Sequence, residues 1–308
     1  MPCYHPRPMW RSEKLLNVKT GKPKNVFREP KLWYASKRHV AHYKPEKIEV
    51  PGCHSELGEM CVGCQETYSR AWAIRCWHES LLHDDNCFIT LTYDQDHCPD
   101  QLVHKDFQDF MKRFRHLSAT PIQYYMCGEY GEKNFRPHFH ALIFGYQFLD
   151  KRFFKEQNGN KQYVSESLEK LWDKGFSAIG ELTFASAAYV ARYVQKKKYG
   201  QKCDKHYDGK KKEYVTMSLK RPIGKEFYKK FKNTMYIDDH VTVPGGYKFA
   251  IPKYYDRVFK EENPDEMEVI KKQRIELAKQ DPDNKPDRLK VRETVKKAQF
   301  KQLKRSLT

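Results

Sequence analysis

Between residues 87 and 198, strand-like and helix-like patterns follow one another in an order that few folds can accommodate. Four runs have the aromatic and β-branched composition of strands: 87–93, 122–130, 137–145 and 176–183. Apolar residues at helical spacing predict a helix after the first run: Phe107, Phe110, Met111, Phe114 and Leu117. Ser165 is a suitable N-cap for a second helix, and the alanine-rich segment 185–198 predicts a third.

The resulting order, β-α-β-β-α-β followed by a helix, is that of a ferredoxin-like split βαβ unit. The fold class is therefore predicted to be α+β, an antiparallel sheet with helices on one face. Side chains alternate across a strand, so Phe139, Ala141 and Ile143 share one face while His138 and His140 share the other. We expect the apolar set beneath the helices and the histidines on the uncovered face.

The two ends of the chain differ in composition from this central region. Residues 1–50 are rich in Lys, Arg, Pro and His, which predicts an irregular basic arm or a disordered tail. Residues 256–308 are strongly charged, which predicts solvated helices or a partly disordered tail. Three parts are therefore expected: the arm, a central domain over 51–255, and a charged helical tail.

The charge of the chain indicates its class of partner. The 308 residues include 58 Lys and Arg against 40 Asp and Glu, a net charge of +18, which favours nucleic acid ahead of an anionic membrane. No apolar run approaches the roughly 18 residues that span a bilayer, and the N-terminus lacks the apolar core of a signal peptide. We therefore expect no membrane partner and a location in the cytoplasm where the chain is made.

His138 and His140 project from one face of a predicted strand, roughly 7 Å apart along its axis. Strand histidines can simply hydrogen-bond to their neighbours, and that alternative stays open for the pair alone. Glu129 ends the preceding strand, where an antiparallel hairpin brings it beside His138; Glu132, nearer the turn, is the alternative carboxylate. Two imidazoles and one carboxylate suit a divalent ion that also binds a phosphate oxygen.

Tyr189 and Tyr193 stand four apart on the last predicted helix, so both phenols share one face. They either pack the helix onto the sheet or act as nucleophiles. A phenol with a pKa near 10 needs a nearby cation that polarises the scissile phosphate, and Lys196 or Lys197 can stabilise charge on the phosphate or leaving group. Attack on DNA would leave a 5′-phosphotyrosine and a free 3′-hydroxyl, and the covalent bond would allow rejoining without ATP.

Four segments together resemble the HUH endonuclease superfamily, and within it the replication initiators of the small single-stranded DNA microviruses of gokushovirus type. The segments are 88–93, 128–131, 136–140 and 189–197, and a similar stretch lies at 246–255. The resemblance implies rolling-circle replication, with Tyr189 and Tyr193 as nucleophiles and His138 and His140 as Mg²⁺ or Mn²⁺ ligands. Arg136, Arg192 and Lys198 are the basic residues expected to contact DNA.

Nine cysteines without an export signal predict reduced thiols rather than a disulfide framework. Cys61 and Cys64 form a C-x-x-C pair, and Cys53 with Cys3 or His54 would complete a structural zinc site. The seven-residue gap between Cys53 and Cys61 departs from the tighter cluster of similar proteins. Structural Zn²⁺ and free thiols at a helix start both remain open.

The function predicted from these residues is metal-dependent, site-specific nicking and rejoining of single-stranded origin DNA. No Walker-type motif is present, so a host helicase is inferred to separate the strands and a host polymerase to extend the primer. The alternative is a non-catalytic single-stranded nucleic-acid-binding protein with a structural zinc site. The oligomeric state is not predicted.

Overall fold

The computed structural model describes residues 4, 7–16, 23–26, 46–50, 61–131, 134–157, 159–196 and 207–302, of which 7–16, 23–26, 46–50, 193–196, 286 and 301 are described without side chains. The strands are β1 (Arg7–Leu16), β2 (Pro23–Val26), β3 (Glu46–Val50), β4 (Asn86–Tyr93), β5 (Gln123–Tyr130), β6 (Pro137–Phe144), β7 (Arg152–Gln157), β8 (Asn160–Val164), β9 (Gly175–Gly180), β10 (Tyr214–Met217), β11 (Val241–Val243) and β12 (Tyr247–Phe249). The helices are α1 (Val62–Ser80), α2 (His104–Leu117), α3 (Glu166–Leu171), α4 (Phe184–Lys196), α5 (Lys225–Ile237), α6 (Lys253–Glu262), α7 (Pro264–Gln280) and α8 (Pro286–Gln302).

The chain divides into two compact units. One comprises Met1–Gln65 and Asp283–Lys301, and the other comprises Glu66–Pro282 and Gln302–Thr308. In the first unit, β2, β1 and β3 form an antiparallel sheet in that order. The prediction of an irregular arm over residues 1–50 is therefore wrong for these three segments. No helix among the described residues is long and apolar enough to cross a membrane.

The second unit is built on a seven-stranded antiparallel sheet, which confirms the α+β class. Its strand order is β10-β5-β6-β4-β9-β8-β7. The strands and helices predicted between 87 and 198 are all present, and the Ser165 hydroxyl caps α3 by accepting the Leu168 N–H at 3.1 Å. The prediction missed the hairpin β7–β8, which adds two strands between β6 and α3 at the sheet edge.

One face of this sheet is buried beneath α2 and α3. Phe139, Ala141 and Ile143 lie in this core, as predicted, with aromatic side chains of α2 and Trp172 after α3 packed over them. The indole N–H of Trp172 donates to the Thr92 carbonyl at 3.2 Å, which ties the helix end to β4. Packing of the α2 and α3 layer against the sheet thereby fixes the positions of the central strands.

The opposite face, which carries the histidines, is also partly covered, so the prediction of helices on one face is wrong. Helix α4 packs against β5, β6 and β10, and its Val190 and Ala191 are fully buried with Leu142 and Phe144 of β6. Cys76 of α1 joins the same cluster. The predicted helix faces the histidines because the chain returns across the sheet after β9, a long-range feature that local sequence patterns do not encode.

A third apolar cluster joins α5, β11, β12, α6 and α7 to α1. Tyr255 and Phe259 of α6 are buried in it, as is Met267 of α7. The boundary predicted at 255/256 therefore falls inside α6, and residues up to about one turn into α7 are part of the packed unit rather than a solvated tail. Beyond them, α7 and α8 are helices rich in charged residues.

Candidate active site

The register of the central strands brings four polar side chains together on one face of the sheet. Glu129 of β5 pairs with His138 of β6, and Thr90 of β4 pairs with His140. Paired residues of neighbouring strands share a face, and His138 and His140 share it because they are two apart. The hairpin thus places Glu129 beside His138, as the sequence indicated; Glu132 lies outside the described residues.

The carboxylate lies between the two imidazoles. Glu129 Oε1 is 2.8 Å from His138 Nε2 and 3.0 Å from His140 Nε2. Two cis ligands about 2.1 Å from an octahedral ion are about 3.0 Å apart, so this spacing fits a small divalent cation. Across the ranges that the structure describes, these three residues form the one His, Cys, Asp or Glu cluster compact enough to hold a metal ion.

The far side of each imidazole is held by a neighbour. Nδ1 of His138 donates to the Arg136 carbonyl at 3.1 Å, and Nδ1 of His140 hydrogen-bonds the Thr90 hydroxyl at 2.9 Å. The Phe88 ring stacks on His140 with ring centroids 5.6 Å apart. Such contacts at Nδ1 orient Nε2 toward the cluster, which is how histidine ligands are commonly fixed.

The electrostatics of Glu129 also suit a ligand. Its side chain is almost wholly buried, and burial by itself disfavours the charged form. Hydrogen bonds and charge from His138 and His140 outweigh that effect and lower the pKa of Glu129 to about 2. The carboxylate is therefore ionised at neutral pH and can neutralise part of the charge of a bound cation.

Tyr189 lies against this cluster. The residue is 4% exposed, and its ring meets the His140 ring edge to face, with centroids 5.4 Å apart. Tyr189 therefore packs α4 onto the sheet and stands next to the histidines, and its role as a nucleophile stays a prediction. Tyr193 is one turn further along α4; its side chain and that of Lys196 are outside the described part of the chain, as is Lys197.

Two of the three basic residues predicted to contact DNA lie in the described part of the chain. Arg136 immediately precedes β6, and its guanidinium donates to the Tyr93 carbonyl at 3.1 Å, which holds the end of β4 beside the histidine strand. Arg192 is half-buried in α4. Lys198 lies outside the described residues.

The cysteine cluster stays a prediction. Cys61 directly precedes α1, and Cys64 is in the first turn of that helix; both are half-buried. Cys3, Cys53 and His54 lie outside the described residues.

Sequence reasoning missed Thr90 and Phe88 as site residues. Both lie in the first predicted strand, two apart, on the face opposite Ile89 and Leu91. A partial signal was present, because Thr90 and Thr92 are polar residues on one face of a strand whose other residues from 87 to 93 are apolar or aromatic. What the local pattern lacked was the pairing of β4 with β6, which places Thr90 opposite His140.

Fold and site together define an α+β protein whose central antiparallel strands carry a His-His-Glu cluster next to a helix tyrosine. The family model of the replication-associated protein ORF2/G2P matches residues 86–198, which include the whole cluster and Tyr189. No solved structure gives a significant match to the chain.

Curated relatives extend this match. The replication-associated protein VP4 of Bdellovibrio phage phiMH2K is 38% identical over 216 residues, which cover 67% of each chain. The replication-associated protein ORF2 of Spiroplasma virus 4 is 34% identical over 238 residues, 71% of this chain and 72% of that protein. The replication-associated protein ORF4 of Chlamydia phage 1 is 29% identical over 206 residues, 63% of this chain and 51% of that protein. The chain belongs to the family of phage replication-associated proteins.

Proposed function

We propose that this protein initiates rolling-circle replication by nicking and rejoining single-stranded origin DNA through a tyrosine. The observation that carries the proposal is the convergence of Glu129, His138 and His140 at hydrogen-bond distances, with Tyr189 against His140. Membership in a family of phage replication-associated proteins supports the biological role.

Glu129, His138 and His140 would hold a divalent cation, Mg²⁺ or Mn²⁺, through one carboxylate oxygen and two Nε2 atoms. The bound ion would supply Lewis-acid polarisation of the scissile phosphate. Nitrogen ligands are better matched to Mn²⁺ than to Mg²⁺, which prefers oxygen ligands and water. The Thr90 hydroxyl and the Arg136 carbonyl would hold the two imidazoles in the same orientation while DNA binds and leaves.

In the proposed reaction the phenolic oxygen of Tyr189 or Tyr193 forms a bond to phosphorus, and the bond from phosphorus to the 3′-oxygen breaks. The phenolic proton is lost to solvent, and the released 3′-oxygen takes up a proton, which gives a free 3′-hydroxyl. Lys196 or Lys197 would stabilise charge on the phosphate or leaving group. The second tyrosine would attack a new junction while the first still holds a strand.

This chemistry corresponds to the HUH class of tyrosine endonucleases. The spatial order β5-β6-β4-β9 supports a split βαβ core, because the first strand of the unit lies between the third and the fourth. The host would supply a helicase and a polymerase in its cytoplasm. Arg136, Arg192 and Lys198 would contribute to DNA affinity, which should weaken steeply with salt.

The test is covalent adduct formation with single-stranded origin DNA in Mn²⁺ or Mg²⁺, read on a denaturing gel. Wild-type protein should form a 5′-linked adduct, and mass spectrometry should locate it on Tyr189 or Tyr193. A Tyr189→Phe/Tyr193→Phe variant should form none. Tyr247→Phe, at an exposed tyrosine of β12, is the matched control and should react normally.

Two outcomes would contradict the proposal. An adduct formed by the double variant would remove the tyrosine mechanism. Salt-dependent DNA binding by wild-type protein without any adduct, and without an effect of metal, would favour the non-catalytic binding protein instead. Thermal unfolding of each variant shows that the comparison is between folded proteins.

A further inference from the structure

The histidine face is open beside the first turn of α4, over β4 and β9. Helix α4 covers β5, β6 and β10, whereas β4, β9 and β8, together with Ser186 of α4, line a cleft of about 220 Å³ on the same face. Thr90 and Phe88 form one wall of this cleft and contact His140 from there. The cleft therefore begins where the catalytic cluster ends.

The lining of the cleft is polar on its far side. Asn160, Lys161 and Gln162 of β8 form that wall, while Ala178 and Gly180 lie on its floor. Glu181, at the end of β9, also lines the cleft and is its one acidic residue. A volume below the ~300–1,000 Å³ of typical drug-sized ligand sites suits one flat group, such as a nucleobase. Glycine at 180 keeps the floor low, because a Cβ there would come within 3.1 Å of Phe88 Cδ1.

The β7–β8 hairpin continues this surface to the edge of the sheet. Phe154 is 58% exposed, and Lys155 Nζ lies 5.7 Å from the centroid of its ring. Lys155 pairs with Gln162, which lines the cleft, and Phe154 is the extra residue of a bulge in β7. Bulges of this kind redirect a side chain, here an aromatic one, away from regular alternation.

The charge and aromatic side chains of the β7–β8 hairpin indicate the class of ligand that this surface would bind. Residues 151–161 contain four cationic side chains (Lys151, Arg152, Lys155 and Lys161) against the single carboxylate of Glu156. Exposed aromatic rings beside cations are how proteins stack bases and follow the phosphates of single strands. A protein strand added to this edge is disfavoured, because lysines and a bulge on an edge strand oppose such pairing.

We infer that the strip formed by Phe154, Lys155, Asn160 and Lys161 binds the single strand next to the nicked phosphodiester. One base would lie in the cleft beside Thr90, and a neighbouring base would stack on Phe154 with Lys155 near the intervening phosphate. This inference rests on the proposed function, since it extends the DNA path from the Glu129–His138–His140 cluster. It assigns the hairpin to binding of DNA and not to the chemical step.

The test measures affinity without divalent metal, so that it does not depend on cleavage. The probe is a fluorescein-labelled oligothymidine of about 20 nucleotides, longer than the ~4–16 nucleotides that single-strand-binding folds occupy. Phe154→Ala/Lys155→Ala in the full chain should bind about 5- to 150-fold more weakly, the loss that removal of one stacked base typically causes. An abasic strand of equal length should show much less difference between wild type and variant.

Lys230→Ala/Phe231→Ala is the matched control. It removes the same residue types and charge from α5, where Lys230 Nζ lies 5.4 Å from the Phe231 ring centroid, and its affinity should stay near that of wild type. Equal affinity of the hairpin variant and wild type, or an equal loss in the control, would overturn the inference. So would a hairpin variant that changes self-association in sedimentation while its DNA affinity stays the same.

Failure of this inference and failure of the proposed function are distinguishable. If wild-type protein forms no covalent adduct with origin DNA, the nicking proposal fails, whereas the hairpin result stands on affinity alone. If adduct forms but the hairpin variant binds normally, only the assignment of the DNA path is wrong.

Discussion

The two faces of the seven-stranded sheet are built from the same strands but differ in what their side chains do. On one face Leu91, Phe139 and Ile143 are wholly buried beneath α2 and α3. On the other face the residues next to them in sequence are Thr90, His138 and His140, which form a hydrogen-bonded cluster with Glu129. Because side chains alternate along a strand, residues next to each other in sequence lie in the apolar core and in the polar cluster in turn.

This difference indicates that the residues that stabilise the fold and the residues of the candidate metal site lie mainly on opposite faces of the sheet. The apolar face gains stability from burial of apolar and aromatic side chains, whereas on the cluster face two imidazoles keep a buried carboxylate ionised. Tyr189 belongs to both arrangements, because it is packed in the second apolar cluster and also touches His140. Substitutions on each face should therefore have distinct signatures.

The largest effect is expected on the apolar face. Phe110 of α2 is wholly buried between Phe114 and Trp172, so Phe110→Ala should cost about 3–5 kcal/mol of unfolding free energy. Denaturant unfolding measures this loss. The Mn²⁺ affinity of the protein that remains folded, measured by calorimetry at low temperature, should be unchanged. A parallel loss of metal affinity would show that the two faces are not separable.

The converse experiment replaces a residue of the Glu129–His138–His140 cluster by one of nearly equal volume. Glu129→Gln keeps the shape and a hydrogen-bonding oxygen but removes the charge, so Mn²⁺ affinity and adduct formation should fall by about 100-fold, or about 2.8 kcal/mol. Thermal stability without metal should change less than in Phe110→Ala. Normal metal affinity would remove Glu129 from the ligand set.

Local sequence patterns predicted the central strands and helices because each has a strong periodic signal. They also paired Glu129 with His138, since a short turn leaves an antiparallel hairpin little freedom in register. They missed β7 because an exposed edge strand has no buried face and therefore no apolar alternation. They missed the coverage of the histidine face by α4 and the partnership of Thr90 with His140, because both depend on strand order.

A smaller effect is expected at Thr90, whose hydroxyl contacts His140 but which is not one of the three residues that would hold the metal. Thr90→Val preserves the branched shape but removes the hydrogen bond at Nδ1, so Mn²⁺ affinity should fall by about 10-fold, the lower end of the range for such contacts, because Phe88 still packs on the ring. Thr92→Val is the matched control, at the next position of the same strand face, with no side-chain hydrogen bond among the described residues. Equal losses in both variants would point to general disturbance of β4.

The smallest effect returns to the apolar face, at the cap of α3. The Ser165 hydroxyl accepts the Leu168 N–H and donates to the Asp150 carboxylate at 2.6 Å, so Ser165→Ala should cost about 1 kcal/mol and lower Tm by about 2–4 °C. Because α3 lies on the face opposite the cluster, Mn²⁺ affinity and adduct formation should equal those of wild type. Scanning calorimetry with a metal titration on the same sample measures both quantities. A change in metal affinity from this distant cap would show that the apolar layer sets the geometry of the cluster, and that the separation of the two faces is only partial.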